Sequence, residues 1–372
     1  MNKVIIVCVG LIVCLMGCKS YQDINRTVFT VVTIVDLDED NKPIVYMETF
    51  RSLYSQENAS EKGERSILTG RGDTIAEAVL DLNQMASFKI MPSHNKALIF
   101  TEKAARYGLD NYLDIFIRDQ DYLLRPFIMI YEGDPKALLE LEVTQEEFMG
   151  LYIEQIVQNE FNTSITYPKR LYEYASLRTM GDKTDVMILM TVEEREYPQI
   201  FIAQGAVVKE DKMVDKLTME EVRIFTIIME EHTSGYITIP HPELQGKYIS
   251  LLMMKNKIKT DIQYGGKQED VIKFKKKVTL RLSFEGTQKE IDLSDEKVRK
   301  QVEEGVKKKI IKESEALYQK FRNKDIDIFG VKKNFQNKYP QEYDGSVFKN
   351  SQLELEVDVY IEGSSNTVNF NH

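Results

Sequence analysis

The chain has 372 residues, of which 42% are hydrophobic and 29% are charged, and its formal net charge is −10. This composition is typical of a folded chain of two or three domains with a sizeable core, and it excludes wholesale disorder and a global positive field for nucleic acid. The charge is uneven, because residues 247–340 hold 24 Lys and Arg against 14 Asp and Glu. A solvated surface explains this basic sector most simply, and contact with anionic lipid headgroups or an acidic partner is the alternative.

The first 17 residues have the features of a leader peptide. The run Val4–Met16 is apolar apart from Gly10 and is too short to span a bilayer, which favours a signal-peptide core. The chain's three cysteines are Cys8, Cys14 and Cys18, so a chain cleaved before Cys18 keeps no disulfide and no thiol catalysis.

The sequence Leu15-Met16-Gly17-Cys18 resembles the bacterial lipobox. The resemblance implies that Cys18 carries a diacylglyceryl group and becomes the first residue after cleavage. A plain secretory signal or a membrane-tethered start is the alternative. No His or acidic ligand accompanies these cysteines, which argues against a metal site.

Strand and helix patterns alternate along residues 28–208. A β-branched run predicts a strand at Val28–Val35 with a hairpin partner at Ile44–Tyr54, and a polar loop follows over residues 55–63. After the Gly70 and Gly72 turn, Asp73 or Thr74 is predicted to cap a helix. The remaining elements predicted here are a strand at Ala97–Thr101, one helix over Glu102–Ile117, a strand at Pro126–Tyr131, a helix at Glu146–Asn159 and strands at Val186–Val192 and Ile200–Val208.

The middle of the chain has a helix start but a weak strand pattern. Thr218 and Glu221 fit a capping box, and residues 237–250 are interpreted as irregular because they are rich in Pro and Gly. We place a domain boundary near Pro198 and a softer one near Lys257. The predicted division is residues 1–17 (signal peptide), 18–198 (N-terminal α/β domain), 199–257 (small middle α+β domain) and 258–372 (C-terminal α+β domain).

The C-terminal sector has the clearest periodicity. Val278–Phe284 and Leu353–Ile361 alternate strictly, which predicts strands with one wet and one dry face. Between them Ser294 is predicted to cap a long helix over 295–322, with Lys307–Lys309 towards solvent. One apolar stripe on this helix is expected to cover the dry face of an antiparallel sheet; its members are Val298, Val302, Val306, Ile310, Leu317 and Phe321. The predicted fold class is therefore α+β and multi-domain, with mixed or antiparallel sheets each packed by helices.

No catalytic constellation emerges from the sequence. His232 and His241 flank a loop without an acidic ligand at metal spacing, and His94 has no triad partners. Asp119 and Asp121 are interpreted as turn residues at a helix end. We therefore expect a non-enzyme with no metal and no cofactor beyond a covalent lipid.

Five collinear stretches resemble the Ger(x)C family, the C subunits of bacterial spore germinant receptors. They are the lipobox, the block "GRGDTIAEAVLDLNQMASFKIMPSHNKALIFTEKAARYGLDNYLDIFIRD", "QGAVVKEDKMVDKLTMEE", "DIDIFGVKKNFQNKYPQEY" and the final alternating strand. The chain departs from the family at Lys19, where an aromatic residue is usual, and at Tyr343, where Trp is usual.

The resemblance implies a lipoprotein anchored by acyl chains on Cys18 to the extracytoplasmic face of the spore inner membrane. Its partners would be integral-membrane A-type and B-type receptor subunits, and its task would be assembly and signal relay in germination. A lipid-anchored protein that binds the germinant itself is the alternative. The family's signature residues in this chain are Asp327, Ile328, Phe329, Gly330, Pro340 and Tyr343. From the residues alone, Asp327 and Gly330 form a turn and the two apolar residues fill the core, and partner contact is the other interpretation.

Overall fold

The computed structural model describes residues 26–51, 64–143, 145–161, 166–179, 183–266, 271–289 and 291–364. These residues form two β-sheets, each packed by helices, which confirms the predicted α+β class. The leader, Cys18, Lys19 and the predicted loop at 55–63 lie outside the described residues. Within the described ranges no helix is both long and apolar enough to cross a bilayer.

The first sheet has ten strands. In order their bounds are Thr27–Leu37 (β1), Pro43–Arg51 (β2), Glu64–Arg71 (β3), Lys89–Met91 (β4), Ala97–Thr101 (β5), Phe127–Glu132 (β6), Lys169–Arg170 (β7), Thr184–Glu193 (β8), Gln199–Lys209 (β9) and Lys212–Leu217 (β10). The strand order is β10-β9-β8-β6-β5-β1-β2-β3, while β4 pairs with β1 and β7 pairs with β6. The central strands β1, β5, β6 and β8 are parallel, and antiparallel strands flank them on both sides. Parallel strands of this kind are covered on both faces, as the continuous apolar runs of their sequences require.

Within the described ranges, six helices cover the two faces of the first sheet. Their bounds are Ile75–Met85 (α1), Glu102–Tyr107 (α2), Leu113–Arg118 (α3), Pro135–Glu140 (α4), Met149–Phe161 (α5) and Leu171–Arg178 (α6). Helices α1, α2, α3 and α6 pack on one face around Phe100, and α4 and α5 pack on the other around Met129. Helix α5 lies so close to β1 at Gly150 that a Cβ on this residue would come within 2.3 Å of the carbonyl oxygen of Val31.

The prediction of a single helix over Glu102–Ile117 is wrong. Helix α2 ends at Tyr107 because Gly108 takes a φ of +143°, a backbone conformation that interrupts the helix. A 3₁₀ turn at Leu109–Asn111 then redirects the chain into α3. The turn is held from a distant element, since the Leu109 N–H donates to the carbonyl oxygen of Asp211 at 2.7 Å.

The second sheet has four strands in the order β11-β12-β13-β14. Their bounds are Gly235–Pro240 (β11), Tyr248–Gln263 (β12), Ile272–Thr287 (β13) and Ser351–Ser364 (β14). The interpretation of residues 237–250 as irregular is therefore wrong for 237–240 and 248–250, whereas residues 241–247 belong to neither strand. Gly235, Ile237 and Ile239 alternate inwards along β11, a strand that its Gly and Pro ends obscured in the sequence.

Three helices of the part of the chain that the structure describes accompany the second sheet. Their bounds are Met219–Met229 (α7), Glu296–Asn323 (α8) and Val331–Lys338 (α9). The apolar stripe on α8 faces inwards as predicted, with only Val298 partly buried. Asp295 rather than Ser294 caps the helix, since the Asp295 carboxylate accepts the Lys297 N–H at 2.8 Å. Of Lys307–Lys309 only Lys308 is fully exposed.

Strand β14 runs parallel to β13, so the prediction of an antiparallel sheet is wrong for this pair. The chain leaves the end of β13, travels back along α8 and re-enters the sheet at the end where β13 began. A helical crossover of this kind is how parallel neighbours are connected. The other two pairs of the sheet are antiparallel.

The predicted domain boundaries fall inside the sheets. Pro198 lies between β8 and β9, which pair with each other in the first sheet, and Lys257 lies within β12. The core of the second sheet also includes Val186, Val207 and Leu217 from strands of the first sheet. Independent folding of the three predicted domains stays a prediction.

Candidate functional site

The Asp327–Gly330 signature forms a buried turn between α8 and α9. The Asp327 carboxylate accepts the backbone N–H groups of Val331 at 3.0 Å and Lys332 at 2.7 Å, so it satisfies two donors at the start of α9. Gly330 has a φ of +67°, in the left-handed region that favours glycine. The predicted turn role of Asp327 and Gly330 is confirmed.

Phe329 occupies the centre of an aromatic cluster. It is 1% exposed, and its ring centroid lies 5.0 Å from that of Tyr318, 6.0 Å from that of Phe225 and 6.4 Å from that of Phe348. These neighbours belong to α8, to α7 and to the segment before β14. Ile328 is also buried, which confirms the predicted core role of both apolar residues. The cluster therefore joins the three segments that meet at the end of α8.

Tyr318 anchors the cluster to the last strand of the sheet. Its hydroxyl lies 2.5 Å from Oγ of Ser351, the first residue of β14, and the Ser351 hydroxyl donates to the carbonyl oxygen of Phe348. Burial raises the pKa of the Tyr318 hydroxyl well above its usual value, which keeps it protonated and available as a donor.

The same region binds the first sheet through charged side chains. The Lys209 ammonium on β9 donates to the carbonyl oxygen of Asp325 at 2.8 Å, and Lys324 pairs with Asp215 on β10. Although burial acts in the opposite direction, the hydrogen bond from Lys324 lowers the pKa of the Asp215 carboxyl. We call the aromatic cluster, together with these two lysine contacts, the joint. It connects the end of α8 to the first sheet.

Pro340 and Tyr343 lie at the margin of this region. Pro340 is exposed at the start of a 3₁₀ turn, and Tyr343 packs partly buried against the core of the second sheet. Since Ile328 and Phe329 are buried, these two are the signature side chains with the most room for a partner. Partner contact by the signature stays a prediction.

The other residues singled out in the sequence have local structural roles. Thr74, rather than Asp73, caps α1 by accepting the Glu77 N–H at 3.2 Å. The Asp119 carboxylate accepts the Asp121 N–H in a turn. His94 packs edge-on against the Phe29 ring at 4.5 Å. No group of three His, Cys, Asp or Glu within the described ranges could hold a metal ion.

The buried polar end of α7 is a feature that the sequence analysis missed. The Asn256 amide donates to the carbonyl oxygens of Ile227 and Glu230, and the Lys276 ammonium donates to that of Ile228 at 2.8 Å. Burial lowers the pKa of Lys276 to about 8. The available signal was a polar residue at an inward position of the alternating strand β13.

Two family models cover most of the chain. The model described as "Spore germination protein N-terminal domain" matches residues 20–192, and the one described as "Spore germination B3/ GerAC like, C-terminal" matches residues 203–365. The chain belongs to the Ger(x)C family of spore germination proteins. This family comprises the C subunits of germinant receptors.

Similar proteins agree with the family models. Spore germination protein GerQC of Bacillus cereus is 21% identical over 320 residues, which cover 86% of each chain. Spore germination protein B3 of Bacillus subtilis is 29% identical over 128 residues, or 33% of each chain. The crystal structure of the GerBC protein aligns with a TM-score of 0.57 over 88% of this chain and 96% of that chain, at 14% identity. It therefore supports the shared fold of the family.

Proposed function

We propose that this chain is a lipid-anchored C subunit of a nutrient germinant receptor, with a role in receptor assembly and signal relay rather than in catalysis. The observation that carries the relay role is the joint. Phe329 packs against segments that meet at the end of α8, and Lys209 and Lys324 connect that end to the first sheet. A displacement of one sheet would act on the other through this packed and charged contact.

The anchor proposal rests on the lipobox. Cys18 stands eight positions before Arg26, the first described residue. An extended chain of that length spans at most about 29 Å, so an acylated Cys18 would hold the folded body within that distance of the bilayer. The bilayer proposed is the spore inner membrane, with the body on its extracytoplasmic face beside the A-type and B-type subunits.

The test of the anchor is Cys18→Ala in a sporulating host, with Cys14→Ala as the matched control inside the leader. We expect the first variant to leave the membrane fraction of spores or to be depleted, with loss of the germination response. The Cys14 variant should behave as wild type. Normal membrane retention and germination in the Cys18 variant would contradict the anchor.

The test of the assembly role is co-purification. The tagged chain, extracted from spore membranes in mild detergent, is expected to bring down A-type and B-type receptor subunits. A Tyr343→Ala variant reports on contact by the signature, with Tyr172→Ala as an exposed tyrosine control elsewhere. Recovery of the chain without either subunit would contradict the assembly role.

A germinant-binding role is the second candidate, and one cavity favours it. The cavity has a volume of about 300 Å³ between α5, β7 and the end of α7, and its lining includes Tyr167, Lys169, Arg170 and Glu230. Both charge signs are present, as a zwitterionic amino acid would require. Calorimetry of the chain with candidate amino acids separates the roles, because a scaffold should give no heat.

A further inference from the structure

The second sheet has one covered face and one open face. Its inner face packs against α7 and α8, while no helix of the described ranges packs on its outer face. The outer positions of β12 are occupied by Lys255, Lys257 and Lys259, at every second residue. Because side chains on one face of a strand repeat every two residues, these three ammonium groups form a line of about 13 Å. We call them the lysine row.

The neighbouring strand is also basic, but β14 neutralises it. Lys275 pairs with Glu354 at 3.2 Å, and Arg281 pairs with Glu362 at 2.6 Å. Lys273 and Lys277 likewise pair with acidic residues of β14. The positive charge of β13 is therefore matched across the parallel pair, and the uncompensated charge of this face lies on β12.

The lysine row forms no ion pair among the described residues. All three lysines are exposed. Asp261 on β12 pairs with Lys338, and the carboxylate of Glu231, in the segment after α7, accepts the Ile258 N–H at 2.8 Å. The row is therefore a line of three unpaired positive charges among the described residues, on a protein whose net charge is −10.

The row also borders a depression and an apolar rim. The three lysines line a hollow of about 280 Å³ together with Lys277 and Arg281. Exposed tyrosines lie on the same sheet face, Tyr236 on β11 and Tyr360 on β14, the latter in register with Arg281. Tyrosine is enriched where proteins meet the headgroup region of a bilayer.

We propose that the lysine row docks this face on the surface of an anionic phospholipid bilayer. The proposal goes beyond receptor membership and does not require acylation of Cys18. Pairing with an acidic β-strand of a partner fits less well, because backbone groups of β12 beyond the end of β11 already have hydrogen-bond partners. The Asn256 carbonyl oxygen accepts the His232 N–H, and the Ile262 carbonyl oxygen accepts from Lys338.

The expected strength is modest. Each lysine near an anionic surface contributes roughly a factor of five in affinity, so the row gives about a hundredfold preference for an anionic surface. The acidic body does not cancel this effect, since charges more than about 8 Å apart are screened at physiological salt. A hundredfold preference orients a tethered body, whereas it holds a free protein only weakly.

The test is sedimentation of the full chain with vesicles of phosphatidylcholine alone or with 40% phosphatidylglycerol. The apolar N-terminal segment contributes in both compositions, so the readout is the ratio of the two partition coefficients. The variant is Lys255→Glu, Lys257→Glu and Lys259→Glu combined. The matched control carries Lys89→Glu, Lys136→Glu and Lys349→Glu, three exposed lysines without ion pairs to described residues.

The wild type and the control should prefer anionic vesicles by about a hundredfold at physiological salt, and the lysine-row variant should lose that preference. Addition of 0.5 M NaCl should abolish the preference of the wild type and of the control. An equal loss in the control and the variant, or no preference in the wild type, would overturn the proposal. Binding of the wild type to polyglutamate without binding to anionic vesicles would overturn it in favour of an acidic protein partner. Far-UV circular dichroism of each variant establishes that it is folded.

Discussion

The joint predicts a large effect of removing one ring. Phe329→Ala deletes a side chain that is 1% exposed and has three aromatic neighbours within 6.4 Å. Truncation of a buried Phe costs about 3–5 kcal/mol through lost burial and the remaining cavity. The measured range already includes ring contacts, and because Phe329 has three aromatic neighbours we expect a loss near its upper end, about 5 kcal/mol.

Urea unfolding of the full chain measures this loss. The chain has no Trp, so the transition is followed by far-UV circular dichroism and tyrosine fluorescence. Tyr236→Ala is the control, because its ring is 53% exposed and its removal should change the free energy of unfolding by less than about 0.5 kcal/mol. A loss below about 1 kcal/mol for Phe329→Ala would refute the reasoning that this ring supports the joint.

Three further predictions concern other buried groups. Burial raises the pKa of Asp185 to about 6, so the folded chain keeps a proton that the unfolded chain releases near pH 4. Stability measured by urea unfolding should therefore fall as the pH rises from about 4 to 6, and Asp185→Asn should remove that slope. Burial lowers the pKa of Lys276 to about 8, so its effect on the pH dependence of stability has the opposite sign. The unfolded chain keeps the lysine proton up to the usual pKa of 10.5, and stability should therefore rise as the pH increases from 8 towards that value. Lys276→Met should remove the rise between pH 7.5 and 9.5, and an unchanged profile would contradict the buried ammonium. Gly150→Ala should cost about 1–3 kcal/mol by overpacking α5 against β1, and a neutral result in thermal unfolding would contradict the 2.3 Å approach to Val31.

The sequence predicted best where one periodicity dominates. The stripe on α8 and the alternation of β13 each follow from burial of one face. The structure confirms the stripe, and it confirms the alternation as far as Leu282, after which a register shift leaves Ser283 buried. Gly108 shows where periodicity fails, because the apolar spacing continues through a residue whose backbone conformation ends the helix. The prediction of the direction of β14 failed for another reason. Alternation determines which side chains point inwards, and a strand with that alternation can pair with its neighbour in either direction.

Part of the candidate site was predictable from the sequence and part was not. The turn at Asp327 and Gly330 was predictable, since a short carboxylate and a glycine have local roles at a helix start. The ionic half of the joint was not, because Lys324 and Asp215 are 109 positions apart and only the packing of α7 between the two sheets brings them together. The lysine row had a signal in the K-x-K-x-K of residues 255–259, which a strand places on one face.

The parallel pairing of β13 with β14 constrains the order in which the protein folds during its synthesis. Antiparallel hairpins such as β12–β13 can form as soon as both strands have left the ribosome. Strand β14 begins 64 positions after β13 ends. Until β14 has been synthesised, β13 keeps an unpaired edge and the apolar face of α8 is only partly covered. Nascent chains stalled between residues 290 and 350 should therefore be the ones that need a chaperone, and premature stop codons there should yield a proteolysed product rather than a shortened subunit.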